Sequence, residues 1–186
     1  MMPKVKLVPG GILEPATGRA FLFFTTSCKT SDFIIDGLDL WWQINRDRLA
    51  SVRRLVLNMD NGPECSGRRS QFLQRLVDFT DHTGLELRLV YYPPYHSKYN
   101  GIERYWGGLE RSWNGYLIDS VDAALRRAGN FTWKGMRPML KLMENIYKKG
   151  VRLIGKQKID LERRLMRSEL LPWWDITICP MPRKVL

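Results

Sequence analysis

Two short stretches hold side chains that could act together on one reaction. In the first, Leu55-Val56-Leu57-Asn58-Met59-Asp60-Asn61-Gly62, an apolar run ends on a carboxylate. In the second, Tyr92-Pro93-Pro94-Tyr95-His96-Ser97-Lys98-Tyr99-Asn100-Gly101-Ile102-Glu103-Arg104, a proline-stiffened segment feeds a carboxylate into a helix start. Carboxylates on rigid elements suit hard cations such as Mg²⁺ or Mn²⁺. Two such ions, about 3.5–4 Å apart, activate the attacking oxygen and stabilise the leaving oxygen in phosphodiester chemistry. Each acid also has a purely structural alternative: Asp60 capping a turn, and Glu103 stabilising a helix N-terminus through the helix dipole.

The neighbouring residues say how each acid would be delivered. Residues 53–60 are expected to form a buried strand, with Leu55, Leu57 and Met59 on one face and Val56, Asn58 and Asp60 on the other. Asn61-Gly62-Pro63 stops it, which puts Asp60 at the carboxyl end of a strand, the edge where α/β sheets bind ligands. A helix over 67–82 follows, with Phe72, Leu73, Leu76, Val77 and Phe79 inward, Arg68, Arg69 and Arg75 outward, and Gly84 closing it. Leu85 to Tyr91 alternates as a strand does, and Pro93-Pro94 holds the chain extended. Asn100 or Tyr99 then caps a helix whose core stripe is Ile102, Trp106, Leu109, Trp113 and Leu117. Glu103 lies beside that stripe in the first turn, and Gly107 leaves the backbone next to it open. Trp106 and Trp113 share the apolar stripe, so they are core residues before they are base-stacking platforms.

Upstream, Val5 to Leu13 and Ala20 to Thr26 flank the turn cluster Glu14-Pro15-Ala16-Thr17-Gly18, an antiparallel hairpin with a five- or six-residue loop. Thr30 or Ser31 caps an amphipathic helix over 31–46, on which Asp36 and Asp39 face solvent or nearby arginines. Downstream, Asp119 to Gly129 reads as a short helix. Trp133 to Lys149 reads as a basic amphipathic helix with a methionine-rich face, and residues 156–170 as a third, highly charged one. The expected organisation is an α/β domain over 1–128 and a helical basic extension over 129–186.

Totals narrow the class. With 186 residues, 44% hydrophobic and 26% charged, the chain has the composition of a folded globular protein with one main core. Thirty Lys and Arg against nineteen acids give a net charge of +11, which favours a polyanionic partner, nucleic acid before a membrane surface. No apolar run approaches the ~18–20 residues of a membrane span. Cys28, Cys65 and Cys179 lie far apart and odd in number, against a disulfide framework or zinc site and for a reducing cytoplasm. Around the two acids, His96, Lys98, Arg104 and Arg111 are candidates to hold nucleic-acid phosphates, with His96 also able to pack beside Tyr95. His82, at the end of the 67–82 helix, is expected to be a C-terminal cap.

The pattern Asp60-Asn61-Gly62, then Pro93-Pro94-Tyr95-x-Ser97, then Asn100-Gly101-Ile102-Glu103-Arg104 with Trp106 resembles the second and third acid blocks of DDE-type transposases. These are bacterial insertion-sequence enzymes related to the mariner group, and the similarity is to the ISAzo-type branch. Thr30-Ser31-Asp32-Phe33-Ile34 with Trp41-Trp42, Tyr147 with Gly150-Val151, and Leu171-Pro172-Trp173-Trp174-Asp175 extend the resemblance over nearly the whole chain.

The resemblance implies an RNase H-like fold, a mixed sheet flanked by helices, in which Asp60 and Glu103 are the second and third metal-binding acids. It implies a two-metal Mg²⁺ or Mn²⁺ site, DNA ends and target DNA as partners, a possible homo-oligomer, and a cytoplasmic, nucleoid-associated setting. The family's first acid lies on a first strand for which this sequence shows no counterpart. Glu14, Asp36, Asp39 and Glu64 are the nearest substitutes, with Glu64 the best placed. The expectation is therefore an N-terminally truncated transposase, inactive alone. The competing expectations are a non-catalytic nucleic-acid-binding remnant or accessory protein, and a nuclease of the same fold.

Overall fold

The computed structural model describes residues 6–93 and 99–182. In chain order its elements are β1 (Val8–Leu13), β2 (Ala20–Thr25), α1 (Ser31–Asn45), β3 (Arg54–Met59), α2 (Ser70–Thr83), β4 (Glu86–Tyr91), α3 (Gly101–Ser112), α4 (Val121–Asn130), β5 (Met139–Met143), α5 (Lys156–Glu162), β6 (Leu165–Arg167) and β7 (Asp175–Ile178). They form a mixed α/β structure with two mixed sheets, ordered β1-β2-β5 and β3-β4-β7-β6. Two compact units result, Met1–Lys29 with Tyr95–Tyr147, and Thr30–Pro94 with Lys148–Leu186.

In the first unit the expected hairpin forms. β1 and β2 pair antiparallel from Val8 opposite Thr25 to Leu13 opposite Ala20, and the 14–19 connection closes with Gly18 N–H donating to Glu14 O at 2.8 Å. All of β2 is buried, as the unbroken apolar run Ala20 to Phe24 requires of a central strand covered on both faces. Its Ala20, Leu22 and Phe24 pack with Tyr105, Leu109 and Ala128 into one core cluster. The sequence stripe on α3 was offset from this core. Tyr105 and Leu109 are buried, Ile102, Trp106 and Trp113 only flank the cluster, and Leu117 lies beyond the helix end, 85% exposed.

Residues 133–149 do not form the expected helix. Trp133 and Met136 bridge across a turn at Gly135, whose φ of 76° lies in the left-handed region, and Pro138 then blocks helix continuation. Beyond the proline the true period is two: Leu140 and Leu142 turn to the core while Met139 and Lys141 are exposed. This strand, β5, runs parallel to β2, with Phe21 opposite Met139. The expected helix over 156–170 is likewise cut short. α5 stops at Glu162, and Leu165–Arg167 is a strand. The region read as a helical extension thus supplies, among the described residues, one short helix, α5, and three strands, β5 to one sheet and β6 and β7 to the other.

In the second unit α1 starts where expected, with Thr30 Oγ1 accepting from Phe33 N–H at 3.2 Å. α2 buries the expected apolar face and ends at Gly84, left-handed at φ 77°, whose N–H donates to Thr80 O. Arg75 does not point outward. It inserts between Asp32 at 2.8 Å and Asp36 at 2.7 Å on α1, tying the two helices together. His82 lies in the last turn and not at the cap, which is Gly84; its Nδ1 is 2.9 Å from Asp78 O, and its Nε2 lies 3.1 Å from Asp39. β3 and β4 are parallel, Arg54 opposite Glu86 and Met59 opposite Tyr91. β4 continues antiparallel to β7, and β7 to β6. β3 is not the fully buried strand expected of it. As the terminal strand of its sheet it leaves Val56 half exposed and Leu55, Leu57 and Met59 only partly covered.

Candidate active site

Asp60 is the first residue past β3, where the ladder's last bond is Tyr92 N–H to Met59 O at 3.0 Å. Its placement at the carboxyl end of a strand in a parallel pair is the one the sequence implied. Three contacts fix the loop behind it. Cys65 Sγ donates to Asp60 O at 3.3 Å, and Tyr91 Oη donates to Cys65 O at 2.6 Å. Ser31 Oγ donates to Glu64 O at 2.7 Å. Burial of Tyr91 drives its phenol well above the usual tyrosine range, so the hydroxyl stays a donor at every physiological pH. With its backbone anchored this way, Asp60 keeps its carboxylate in an exposed position.

Glu103 occupies the first turn of α3 behind the N-cap Asn100, which is buried and extended at φ −78°, ψ 105°. The helix is held by packed rings. Tyr105 meets Phe131 edge-on at 5.1 Å, and Trp133 at 5.5 Å. Trp106 lies against Gly11 of β1, where an added Cβ would come within 2.8 Å of the indole. Arg104 and Arg111 are both exposed. Seven residues apart, they lie on one side of the helix. Among the described residues Gly107 has no near neighbour apart from Arg111 Nη1, 3.9 Å from where its Cβ would stand, and to that extent the backbone one turn past Glu103 is open as expected.

Asp60 therefore belongs to the second unit and Glu103 to the first. His96 and Lys98 lie outside the described residues. Among the alternative acids, Asp36 and Asp39 on α1 are taken up by Arg75 and His82. Burial outweighs those partners at Asp39 and raises its pKa. Glu14 accepts from Thr17. Glu64 alone shares the Asp60 loop. As hard oxygen donors reachable from solvent, Asp60 and Glu103 fit Mg²⁺ or Mn²⁺ in kind. Among the described residues no three His, Cys, Asp or Glu side chains gather as a metal cage.

One feature beside Asp60 had no sequence signal strong enough to find it. A cleft of about 480 Å³ is lined by Asn61, Pro63, Ser66, Arg68, Trp173 and Trp174. Arg68 was expected on the outer face of a helix, but α2 begins only at Ser70, and Arg68 instead lies 4.9 Å from the centre of the Trp173 ring. The adjacent tryptophans after Pro172 were the available hint, and nothing local says which loop they meet.

No helix among the described residues is long and apolar enough to cross a membrane. Neither a curated protein nor a solved structure matches the chain. A family model described as the Rhodopirellula transposase DDE domain matches residues 2–180, and it takes in the Asp60 loop, α3 and the Trp173–Trp174 turn together. With nearly its whole length so matched, the chain belongs to the DDE-type insertion-sequence transposases.

Proposed function

We propose that the chain contributes two of the acids of a metal-dependent DNA cleavage and strand-transfer site on an RNase H-like fold. Asp60 and Glu103 would hold the Mg²⁺ or Mn²⁺, and the partners would be transposon ends and target DNA. The observation that carries this reading is the match over residues 2–180 to a transposase DDE domain, within which Asp60 follows a parallel strand and Glu103 opens a helix. When bound, the metal activates the attacking oxygen and stabilises the leaving one. The chain's own part is to present Asp60, exposed, and Glu103, partly exposed, from anchored backbone. Arg104 and Arg111, on the open side of α3, neutralise DNA phosphates.

Two carboxylates hold such ions loosely, so a third acid from another segment completes the site, and these 186 residues alone are catalytically impaired. A further strand has places to pair. β1 and β3 each stand at the end of their own sheet, with one edge unpaired among the described residues.

The test has two arms. Mn²⁺ binding, followed by electron paramagnetic resonance, should weaken in both Asp60→Ala and Glu103→Ala; indifference to both substitutions would sink the site. Supercoiled DNA with Mg²⁺ should be nicked at background rate. Nicking that Asp60→Ala abolishes would show instead that the chain is catalytically complete. The net charge of +11 favours one further reading, a non-catalytic DNA-binding remnant. DNA affinity that falls steeply with salt, yet ignores Mg²⁺ and Asp60→Ala, would select it.

A further inference from the structure

The cleft beside Asp60 has the chemistry of a nucleobase site. Its walls are two indoles, a guanidinium, an amide and a hydroxyl, from Trp173, Trp174, Arg68, Asn61 and Ser66. Its volume of about 480 Å³ falls within the ~300–1,000 Å³ of small-ligand pockets. We propose that this cleft receives one unstacked base of single-stranded DNA, with the Trp173 indole as platform and Arg68 as its cationic flank. The proposal rests on the DNA-processing reading and names a subsite for it.

The indole is built to stay in place. Arg167 lies 4.5 Å from the Trp173 ring centre, and its own position is fixed by Glu162 at 2.9 Å through both Nε and Nη2. Its Nη1 donates to Gly67 O at 3.0 Å and to Pro172 O at 2.9 Å. The turn itself is pinned, with Trp174 N–H donating to Leu171 O and Tyr91 N–H donating to Trp174 O, both at 2.9 Å. Gly67 abuts the Trp173 carbonyl so closely that no side chain fits between the Asp60 loop and the tryptophan turn. Arg167 is only 14% exposed and forms the fixed backing. Arg68 is exposed, so it can leave the ring for a phosphate as a base arrives, or extend the stack with its own guanidinium plane.

Both tryptophans stay partly exposed although each ring has a large apolar surface to hide. A preformed platform of this kind lowers the ordering cost of binding. A base in a duplex has its faces covered by its neighbours, whereas an unstacked base presents a free π-face. Asn61 lines the cleft immediately after Asp60, so a base seated there leaves its phosphates near the loop that carries the carboxylate.

The test uses the full chain in EDTA, so that metal chemistry plays no part. Fluorescence anisotropy compares a labelled 12-mer of single-stranded DNA, the same strand with abasic sites, and a hairpin duplex. The wild-type chain should prefer the intact strand over the abasic one by about tenfold, the usual size of one base–aromatic stack. Trp173→Ala should remove most of that preference without changing duplex affinity, while Trp173→Phe keeps most of it. Arg68→Ala should lower single-strand affinity a few-fold. Equal wild-type binding of intact and abasic strands overturns the proposal, as does a preference that survives Trp173→Ala. Should Trp173→Ala not fold, the wild-type ratio of intact to abasic strand and its retention in Trp173→Phe decide the matter, and a ratio near one in the wild-type chain counts against the site. Loss of base preference with Asp60-dependent metal binding intact fails this subsite alone. Base preference with metal binding indifferent to Asp60 fails the catalytic reading alone.

Discussion

The loop behind Asp60 is held by polar locks, whereas the helix that starts at Glu103 is held by packed rings. In the first case single atoms carry the position: a thiol on Asp60 O, a phenol on Cys65 O, a serine on Glu64 O. In the second, Tyr105 against Phe131 and Trp133, and Trp106 against Gly11, spread the same task over ring area. Hydrogen bonds fix direction and fail all at once when a partner is lost. Packing fixes place and fails in proportion to the volume removed. The two acid carriers should therefore answer mutation differently.

Removing the central ring of the packed carrier should have the largest effect. Tyr105→Ala deletes a fully buried side chain and is expected to cost about 4 kcal/mol in chemical denaturation. Tyr105→Phe should be neutral or stabilising by up to about 1 kcal/mol, because Tyr105 Oη has no hydrogen-bond partner among the described residues. Burial has also pushed its pKa up to about 12. A Tyr105→Phe cost above about 1.5 kcal/mol would show that the hydroxyl is bonded, and that this carrier too depends on a polar lock.

Two glycines give the next contrast. In the locked loop, Gly67→Ala would put Cβ 2.2 Å from the Trp173 carbonyl oxygen, a backbone atom that cannot swing aside. We expect a loss of about 3 kcal/mol. On the packed helix, Gly107→Ala has open space and should gain about 0.5–1 kcal/mol through helix propensity. Equal responses at the two glycines would erase the distinction between the carriers. A smaller effect is expected from Tyr91→Phe, which removes only the donor to Cys65 O and should cost about 1 kcal/mol. Amide exchange should quicken in residues 61–66 and stay unchanged in α3.

Local signals explain what the sequence made legible. The hairpin, the Thr30 cap, the Gly84 stop and the apolar face of α2 each depend on neighbours in sequence, and each stands where it was expected. So do Asp60 at its strand end and Glu103 in its first turn. The strand at 139–143 was hidden because Met136, Met139, Leu140 and Met143 fit a helical spacing as well as an alternating one. Pro138 was the clue that should have decided between them. Tyr105 lies outside the stripe of Ile102, Trp106, Leu109, Trp113 and Leu117, although it stands three residues after Ile102 and four before Leu109, on the same helical face. Neither the insertion of Arg75 between Asp32 and Asp36 nor the meeting of Asn61 with Trp173 has any local signature. Both are products of chain return, which spacing does not record.

The last and smallest expected effect concerns pH, and it should fall on the unit rich in polar locks. Asp81 accepts from Arg164 Nη1 at 2.9 Å and Nη2 at 2.7 Å, and from Met181 N–H at 2.9 Å. The Arg164 hydrogen bonds hold its pKa below the usual aspartate value. A carboxylate so depressed contributes stability that is fully present above the unfolded pKa and is lost as pH falls through the lower folded one. Asp39 has the opposite sign. Burial raises its folded pKa, so its ionisation weighs against the folded state as pH rises from the usual aspartate range through the raised value. Asp81→Asn should therefore cost about 1 kcal/mol at neutral pH, and the deficit should close below about pH 4. Asp39→Asn should cost less at neutral pH than the loss of its contacts to His82 and Arg75 alone would suggest, because it also relieves a buried charge. Denaturation midpoints between pH 3 and 7 would read both curves. If the two substitutions gave parallel profiles, burial would not be what separates these acids. Tyr105→Phe, from the ring-packed carrier, should run flat over the same range because no group that titrates there has changed.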